Sequence, residues 1–222
     1  MKYFSLLLLA ITLTSCLEGD DDSFQTTSSV LFMNVYNDAA SGIDIQVNGS
    51  NWRNGFRAYG EPGGYSSFYS EEVTFAAYPK GSSDGTALAS MTQVLDPESK
   101  YTCFLTGRSG EAKMILLPDT MRSPAGNKAL VRFVNLSPDL SKADVGIADS
   151  GIVIRNLDYL RAGYMTLDTG VNVVNAYRGS LTQPLASFRF RAASRGVYTM
   201  YIKGLQGREG KDSLAVGNYI QP

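Results

Sequence analysis

Apolar and polar residues along this chain fall into short runs, and no helical stripe runs through them. Stretches rich in Val, Ile, Thr, Tyr and Phe recur roughly every ten residues, bounded by Gly, Asn, Asp, Ser and Pro. That spacing predicts strands and an all-β fold. In "YTMYIK" a period of two sends Tyr198, Met200 and Ile202 to one face and Thr199, Tyr201 and Lys203 to the other. The first set reads as the core face. The same alternation turns Cys103 inward between Tyr101 and Leu105, as a buried structural thiol rather than a reactive one.

The N-terminus breaks the pattern. After Lys2 comes "YFSLLLLAITLTS", an apolar core of about a dozen residues, in the range of a secretion signal and short of the ~20 that a spanning helix needs. Leu13-Thr14-Ser15-Cys16 resembles a bacterial lipobox, which implies a signal peptide over residues 1–15 and a diacylated Cys16. Several acyl chains on one cysteine hold stably in outer-membrane lipid, because each buried methylene contributes about 0.8 kcal/mol. Glu18, Asp20, Asp21 and Asp22 resemble the export signal of Bacteroidetes surface lipoproteins. Physically they form a solvated spacer over residues 16–28. The expectation is an outer-membrane lipoprotein facing the cell exterior.

Beyond residue 28 the pattern occurs twice. "VLFMNVYND" from Val30 answers "VRFVNLSPD" from Val131, and "IDIQVNG" from Ile43 answers "ADVGIADSG" from Ala143. Further on, "YTCFLTG" from Tyr101 answers "YTMYIKG" from Tyr198. Duplication of a unit of about 100 residues, near the size of a seven-stranded sandwich, predicts two tandem immunoglobulin-like antiparallel β-sandwiches, over 29–118 and 129–222. The join, 119–128, carries Pro124 and Gly126 and little to bury. It allows the halves to pack end to end or to move.

Composition narrows the chemistry. The chain holds no histidine, which removes Ser-His-Asp and Cys-His catalysis and imidazole metal sites. Lys plus Arg number 20 against 21 Asp plus Glu, so no overall basic field exists to collect nucleic acid. If Cys16 carries lipid, Cys103 has no disulfide partner within the chain, and the fold rests on its core. With 44% hydrophobic residues, 13 Tyr and 10 Phe, that core can be large.

The segment "ALVRFVNLSPDLSKADVGI" resembles the family catalogued as domain of unknown function 4397. Ser137, Pro138, Asp139, Asp144 and Val145 carry the likeness, with "GVYTMYIKG" as its closing strand. The resemblance covers roughly 128–220 and implies a β-sandwich, often in tandem on secreted or surface proteins, with no assigned activity. The first half has Tyr36 and Asn37 in place of the Ser-Pro pair.

Several constellations remain as candidates. Asp38 with Asp44, and Asp139 with Asp144, recur in both halves. Such pairs bind Ca²⁺, act as a glycosidase acid and base, or cap turns through their own backbone, and turn capping is what duplicated scaffold positions favour. Residues 48–70 hold the only Trp with Phe56, Tyr59, Tyr65, Phe68 and Tyr69, interleaved with Arg53 and Arg57. Aromatic faces stack on sugars and on cations, so Trp52, Arg53, Phe56, Tyr59 and Tyr65 are the candidate contact surface; the alternative is that these rings fill the core. "SFRFRAASR" reads as a strand with a solvated arginine face. Thr120 and Ser213 sit in short motifs that resemble Bacteroidetes O-glycosylation sites. The sequence therefore points to a non-catalytic surface module for binding, adhesion or assembly, with no cofactor and no metal. A glycan-binding component of a polysaccharide-uptake system is the alternative, and a carboxylate-dependent extracellular hydrolase the remote one. A surface protein or a glycan is the expected partner.

Overall fold

A computed structural model describes residues 26–39, 41–53, 55–82, 84–148, 150–179 and 183–221. The signal segment, Cys16 and the acidic residues after it lie outside these.

The expected all-β architecture in two tandem sandwiches is what the chain forms. The first half contributes β1 (Thr27–Asn34), β2 (Ile43–Val47), β3 (Ser50–Asn51), β4 (Ser66–Tyr69), β5 (Glu72–Pro79), β6 (Ala89–Val94), β7 (Lys100–Arg108) and β8 (Glu111–Pro118). The second contributes β9 (Lys128–Asn135), β10 (Lys142–Ile147), β11 (Gly151–Asp158), β12 (Ala162–Asp168), β13 (Gly170–Tyr177), β14 (Ala186–Ala192), β15 (Val197–Lys203) and β16 (Ala215–Ile220). Each half folds into two four-stranded sheets. Their orders are β4-β1-β7-β8 and β3-β2-β5-β6, repeated strand for strand as β12-β9-β15-β16 and β11-β10-β13-β14.

The strand order departs from the immunoglobulin one, in which the first strand lies at a sheet edge beside the second. Here β1 sits inside its sheet, antiparallel to β4 and parallel to β7, and β9 does the same between β12 and β15. Val30 and Phe32 face the sandwich core, while Leu31, Met33 and Val35 on the other side are equally buried. A strand apolar on both faces needs a sheet covered on both faces, so this sheet is an inner layer.

The second cover is the other sandwich. Leu31, Met33, Val35 and Phe104 pack against Val134, Leu136, Tyr201 and Tyr219, so the two inner sheets meet face to face. The halves are thus neither end to end nor loosely tethered; they stack as four sheet layers. Tyr198, Met200 and Ile202 line the second core as the alternation requires. Thr199 and Tyr201 on the opposite face are buried too, in the junction.

One polar cluster is sealed inside that junction. Arg132 has no exposed surface, and its Nη2 lies 2.7 Å from Oδ1 of Asp119, whose side chain is 2% exposed. Arg132 also donates to Thr199 Oγ1 at 3.1 Å, the Pro118 carbonyl at 3.0 Å and the Tyr219 hydroxyl at 3.1 Å. Asp119 in turn accepts from Tyr65 at 2.6 Å, Thr102 at 2.7 Å and Gln221 at 2.8 Å. Every charge is compensated, as a buried pair requires. The residue that opens the connecting segment is therefore fastened to the second sandwich.

The duplicated asparagine explains another shared feature. Asn34 donates to the Ala39 carbonyl at 2.9 Å and accepts from the Tyr36 amide at 3.0 Å. Asn135 repeats both contacts, with Leu140 at 2.8 Å and Ser137 at 3.2 Å, and adds the Leu157 carbonyl at 3.1 Å. Each side chain stands in for the missing strand partner where the chain leaves the sheet.

Candidate functional site

The two halves differ most at one side of the sandwich. In the second, β11 and β12 run eight and seven residues and touch across the open side. In the first, Asn48 and Gly49 turn the chain through positive φ angles of 50° and 75°, and β3 ends after two residues. The segment then presses onto β2 at Gly55, where an added Cβ would fall 2.5 Å from the Ile45 carbonyl oxygen. Pairing resumes only at Arg57, which exchanges backbone bonds with Ile43. The lost strand leaves the side of the sandwich open.

A cleft of about 500 Å³ occupies that gap, within the size range of small-ligand sites. Trp52, Phe68 and Val73 line its apolar part, and Thr27, Asn48, Ser67 and Glu71 bring polar groups. Tyr69, 54% exposed, stands at its margin. Trp52 is half-buried, shared between cleft and core. Its ring lies 5.5 Å from Phe32 and 5.4 Å from Phe68, with the Arg57 guanidinium 5.1 Å from its centroid. The interplanar angle with Phe68 is 63°, so the two rings form a corner, not a flat platform. Burial lowers the Arg57 pKa from its ordinary value.

The other members of the expected contact surface are dispersed. Arg53 and Phe56 join Trp52 around a smaller hollow of about 220 Å³ beside Asp44. Phe56 is 44% exposed, with Lys80 Nζ 5.0 Å from its ring centroid. Tyr59 lies at the junction, under Lys203 Nζ at 4.3 Å from its centroid; burial, and the nearby Asp212 carboxylate, push its hydroxyl up to about 12. Tyr65 is tied to Asp119. Burial and that contact raise its pKa as well. The surface expected as one patch is therefore three separate places. Asn48, Phe68, Tyr69 and Glu71 belong to the cleft instead, and the Asn-Gly turn just before Trp52 was the signal that marked its rim.

The paired aspartates do scaffold work. Asp44 accepts the Gly81 amide at 2.7 Å, Asp144 the Asn156 amide at 2.7 Å, and Asp139 the Gln206 amide at 2.7 Å. Asp139 also meets Arg108 of the first sandwich at 2.6 Å, while exposed Asp38 receives a long bond from Tyr36 at 3.5 Å. These are turn and junction contacts. Among the described residues no group of three or more metal-ligating side chains comes together. Among the described residues, five of the clefts carry at most one carboxylate each, and a glycosidase pair needs two. Thr120 is exposed and Ser213 half-buried, donating to the Gly210 carbonyl at 2.7 Å. Cys103 is buried, its Sγ 3.9 Å from Met91 Sδ, and burial pushes its thiol pKa up.

A family model described as "Domain of unknown function (DUF4397)" matches residues 28–146, more than half of the chain. The chain belongs to the DUF4397 family. The match spans the whole first sandwich and enters the second through β10, so it includes Ser137, Pro138, Asp139, Asp144 and Val145 and ends before the closing strand β15. DUF4397 membership thus rests mainly on the first half, despite its lack of the Ser-Pro pair, and of the expected 128–220 only 128–146 is matched. No curated protein matches the chain. Among solved structures, family 41 carbohydrate-binding modules of streptococcal virulence factors, described for α-glucan recognition, align at 9% identity. That alignment covers 86% of this chain and 96% of theirs, at a TM-score of 0.28. A family 26 module of Eubacterium rectale in complex with maltoheptaose aligns at 10% identity, over 88% and 97%, at 0.27. The Bacillus anthracis TIE protein aligns at 10%, over 83% of this chain and 34% of that one, at 0.25. Scores of this size carry no argument about ligand or fold.

Proposed function

We propose that this DUF4397 protein is a non-catalytic, cell-surface lipoprotein that binds glycan through the open side of its first sandwich. The observation that carries the reading is the cleft left by the truncated β3. It pairs an apolar wall of Trp52 and Phe68 with Asn48, Ser67 and Glu71, the mixture that a sugar's apolar face and ring of hydroxyls calls for. Lipid on Cys16 anchors, the acidic segment spaces, and the first sandwich presents the cleft. The reading of a carboxylate-dependent hydrolase lacks its second carboxylate in each of those five clefts.

The test uses Trp52 as its own reporter. The full-length chain in detergent is titrated with starch, mixed-linkage β-glucan, mannan and xylan, following indole emission. One polysaccharide should shift the emission, and Tyr69→Ala, an exposed change, should weaken that response about tenfold, a loss of ~1.4 kcal/mol. Emission unmoved by the whole panel, or untouched by Tyr69→Ala, would sink the glycan reading. Surface anchoring is checked separately: Cys16→Ser should release the protein from membranes, and protease added to intact cells should remove the wild type.

A further inference from the structure

The outer face of the second sandwich carries a feature that the first lacks. In sheet β11-β10-β13-β14 the inward residues are Ile154, Val174, Ala176, Phe188, Phe190 and Ala192. Their neighbours Val171, Val173, Arg189 and Arg191 therefore point outward, and Val153 and Arg155, on the irregularly paired β11, are exposed. Val173 pairs across to Arg189 and Val171 to Arg191. The three arginines are exposed, and none has a hydrogen-bond or ion-pair partner among the described residues. Val153 and Val171 are exposed at 44% and 47%. At the end of β13 Tyr177, the counterpart of Tyr78 in the first sandwich, lies across β10, so close that an added Cβ at Gly146 would come within 3.1 Å of its ring.

The duplication supplies an internal control. On the first sandwich the same cross-strand positions are Thr74 with Thr92 and Glu72 with Val94, and Gln46 stands where Gly146 does. Edge strand β6 there manages without a single charged residue. Protection of the edge is thus not what the scaffold demands of β14. The remaining charges on the second face are Lys142 opposite Asp158, and Asp144, whose carboxylate already holds the Asn156 amide. The balance is positive.

The geometry points to this face as a second binding site, for a carboxylated polysaccharide. Charge complementarity selects an anion, and guanidinium forks match carboxylates two bonds at a time. Arg189 and Arg191 stand about 6.8 Å apart along the strand, the rise of two extended residues. The flat Tyr177 ring and outward valines suit the flat apolar side of a sugar chain.

Polygalacturonate is the probe, run in affinity electrophoresis against the full-length chain in detergent, with dextran as the neutral control. Polygalacturonate should retard the protein, dextran should not, and the effect should fade with added salt. Arg155→Gln/Arg189→Gln/Arg191→Gln should weaken retardation about tenfold or more, because charge-assisted contacts exceed neutral ones. Arg189→Lys/Arg191→Lys, which keeps the charge and loses the forks, should fall between and provides a reading if the triple variant folds poorly. Unchanged retardation of either variant overturns the proposal. Equal retardation by polyglutamate overturns the ligand class in favour of an acidic protein. Tyr69→Ala should leave polygalacturonate binding intact, so the failure of this site and of the first-sandwich cleft are told apart.

Discussion

Replacing Arg132 by Leu is the sharpest perturbation of the junction. Leucine is what the duplication places at the corresponding position of the first half, Leu31, so the side chain suits a strand of this kind. The change leaves Asp119, 2% exposed, without its cation, and takes a donor from the Thr199 hydroxyl, the Pro118 carbonyl and the Tyr219 hydroxyl, the last of which keeps Thr102. Breaking one side of a buried ion pair costs about 3–5 kcal/mol. For a chain of this length that is a fall in Tm of about 6–20 °C. Asp119→Asn alone keeps an oxygen to accept from Tyr65 and Thr102 and should cost less. The double variant should recover a coupling energy of ~1–3 kcal/mol. Urea unfolding followed by Trp52 emission reports the first sandwich, and far-ultraviolet circular dichroism reports both. The two curves should coincide in the wild type, because the junction couples the halves, and separate in Arg132→Leu. A cost below about 1 kcal/mol, or a double variant equal to the sum of its parts, would refute the reasoning.

Two further expectations follow from the same contacts. Burial holds the hydroxyls of Tyr36, Tyr65, Tyr159, Tyr201 and Tyr219 above their ordinary pKa, and Tyr59 at about 12, so the native state keeps protons that the unfolded chain releases above about pH 10. Stability should be intact below that pH and fall as pH rises toward the native values. Lys203 and Arg57, both lowered by burial, act in the opposite sense, while the buried Cys103 thiol, raised, acts with the tyrosines. A urea midpoint as high at about pH 11 as at pH 9 would contradict this. At the two strand exits, Asn135→Ala removes three buried contacts and should cost about 2–3 kcal/mol, while Asn34→Ala removes two and should cost ~1–2 kcal/mol. Chemical denaturation checks both, and a larger loss at Asn34 would reverse the ranking.

Short-range pattern was enough for some of this protein. The period of two, the Gly- and Asn-rich breaks and the doubled motifs determined an all-β chain in two copies, with Tyr198, Met200, Ile202 and Cys103 turned inward. The amides that Asp44, Asp139 and Asp144 accept from, on Gly81, Gln206 and Asn156, lie far along the chain, so these carboxylates do not cap their own turns and local pattern did not give their partners. What alternation cannot distinguish is a face against water from a face against another sheet. Leu31, Met33 and Val35 hinted at the second by being apolar, yet Thr199, placed opposite the core face, is buried once the sandwiches meet. Arg132 and Asp119 lie on different halves, and the buried pair exists only because stacking excludes water from both. The aromatic stretch around Trp52 misled for a related reason: residues close in sequence were sent to the core, the cleft rim and the junction by a strand that stops after Asn51. Local periodicity decided which residues could be strands; the long-range packing of four sheets decided which of their faces, and which charges, were to be buried.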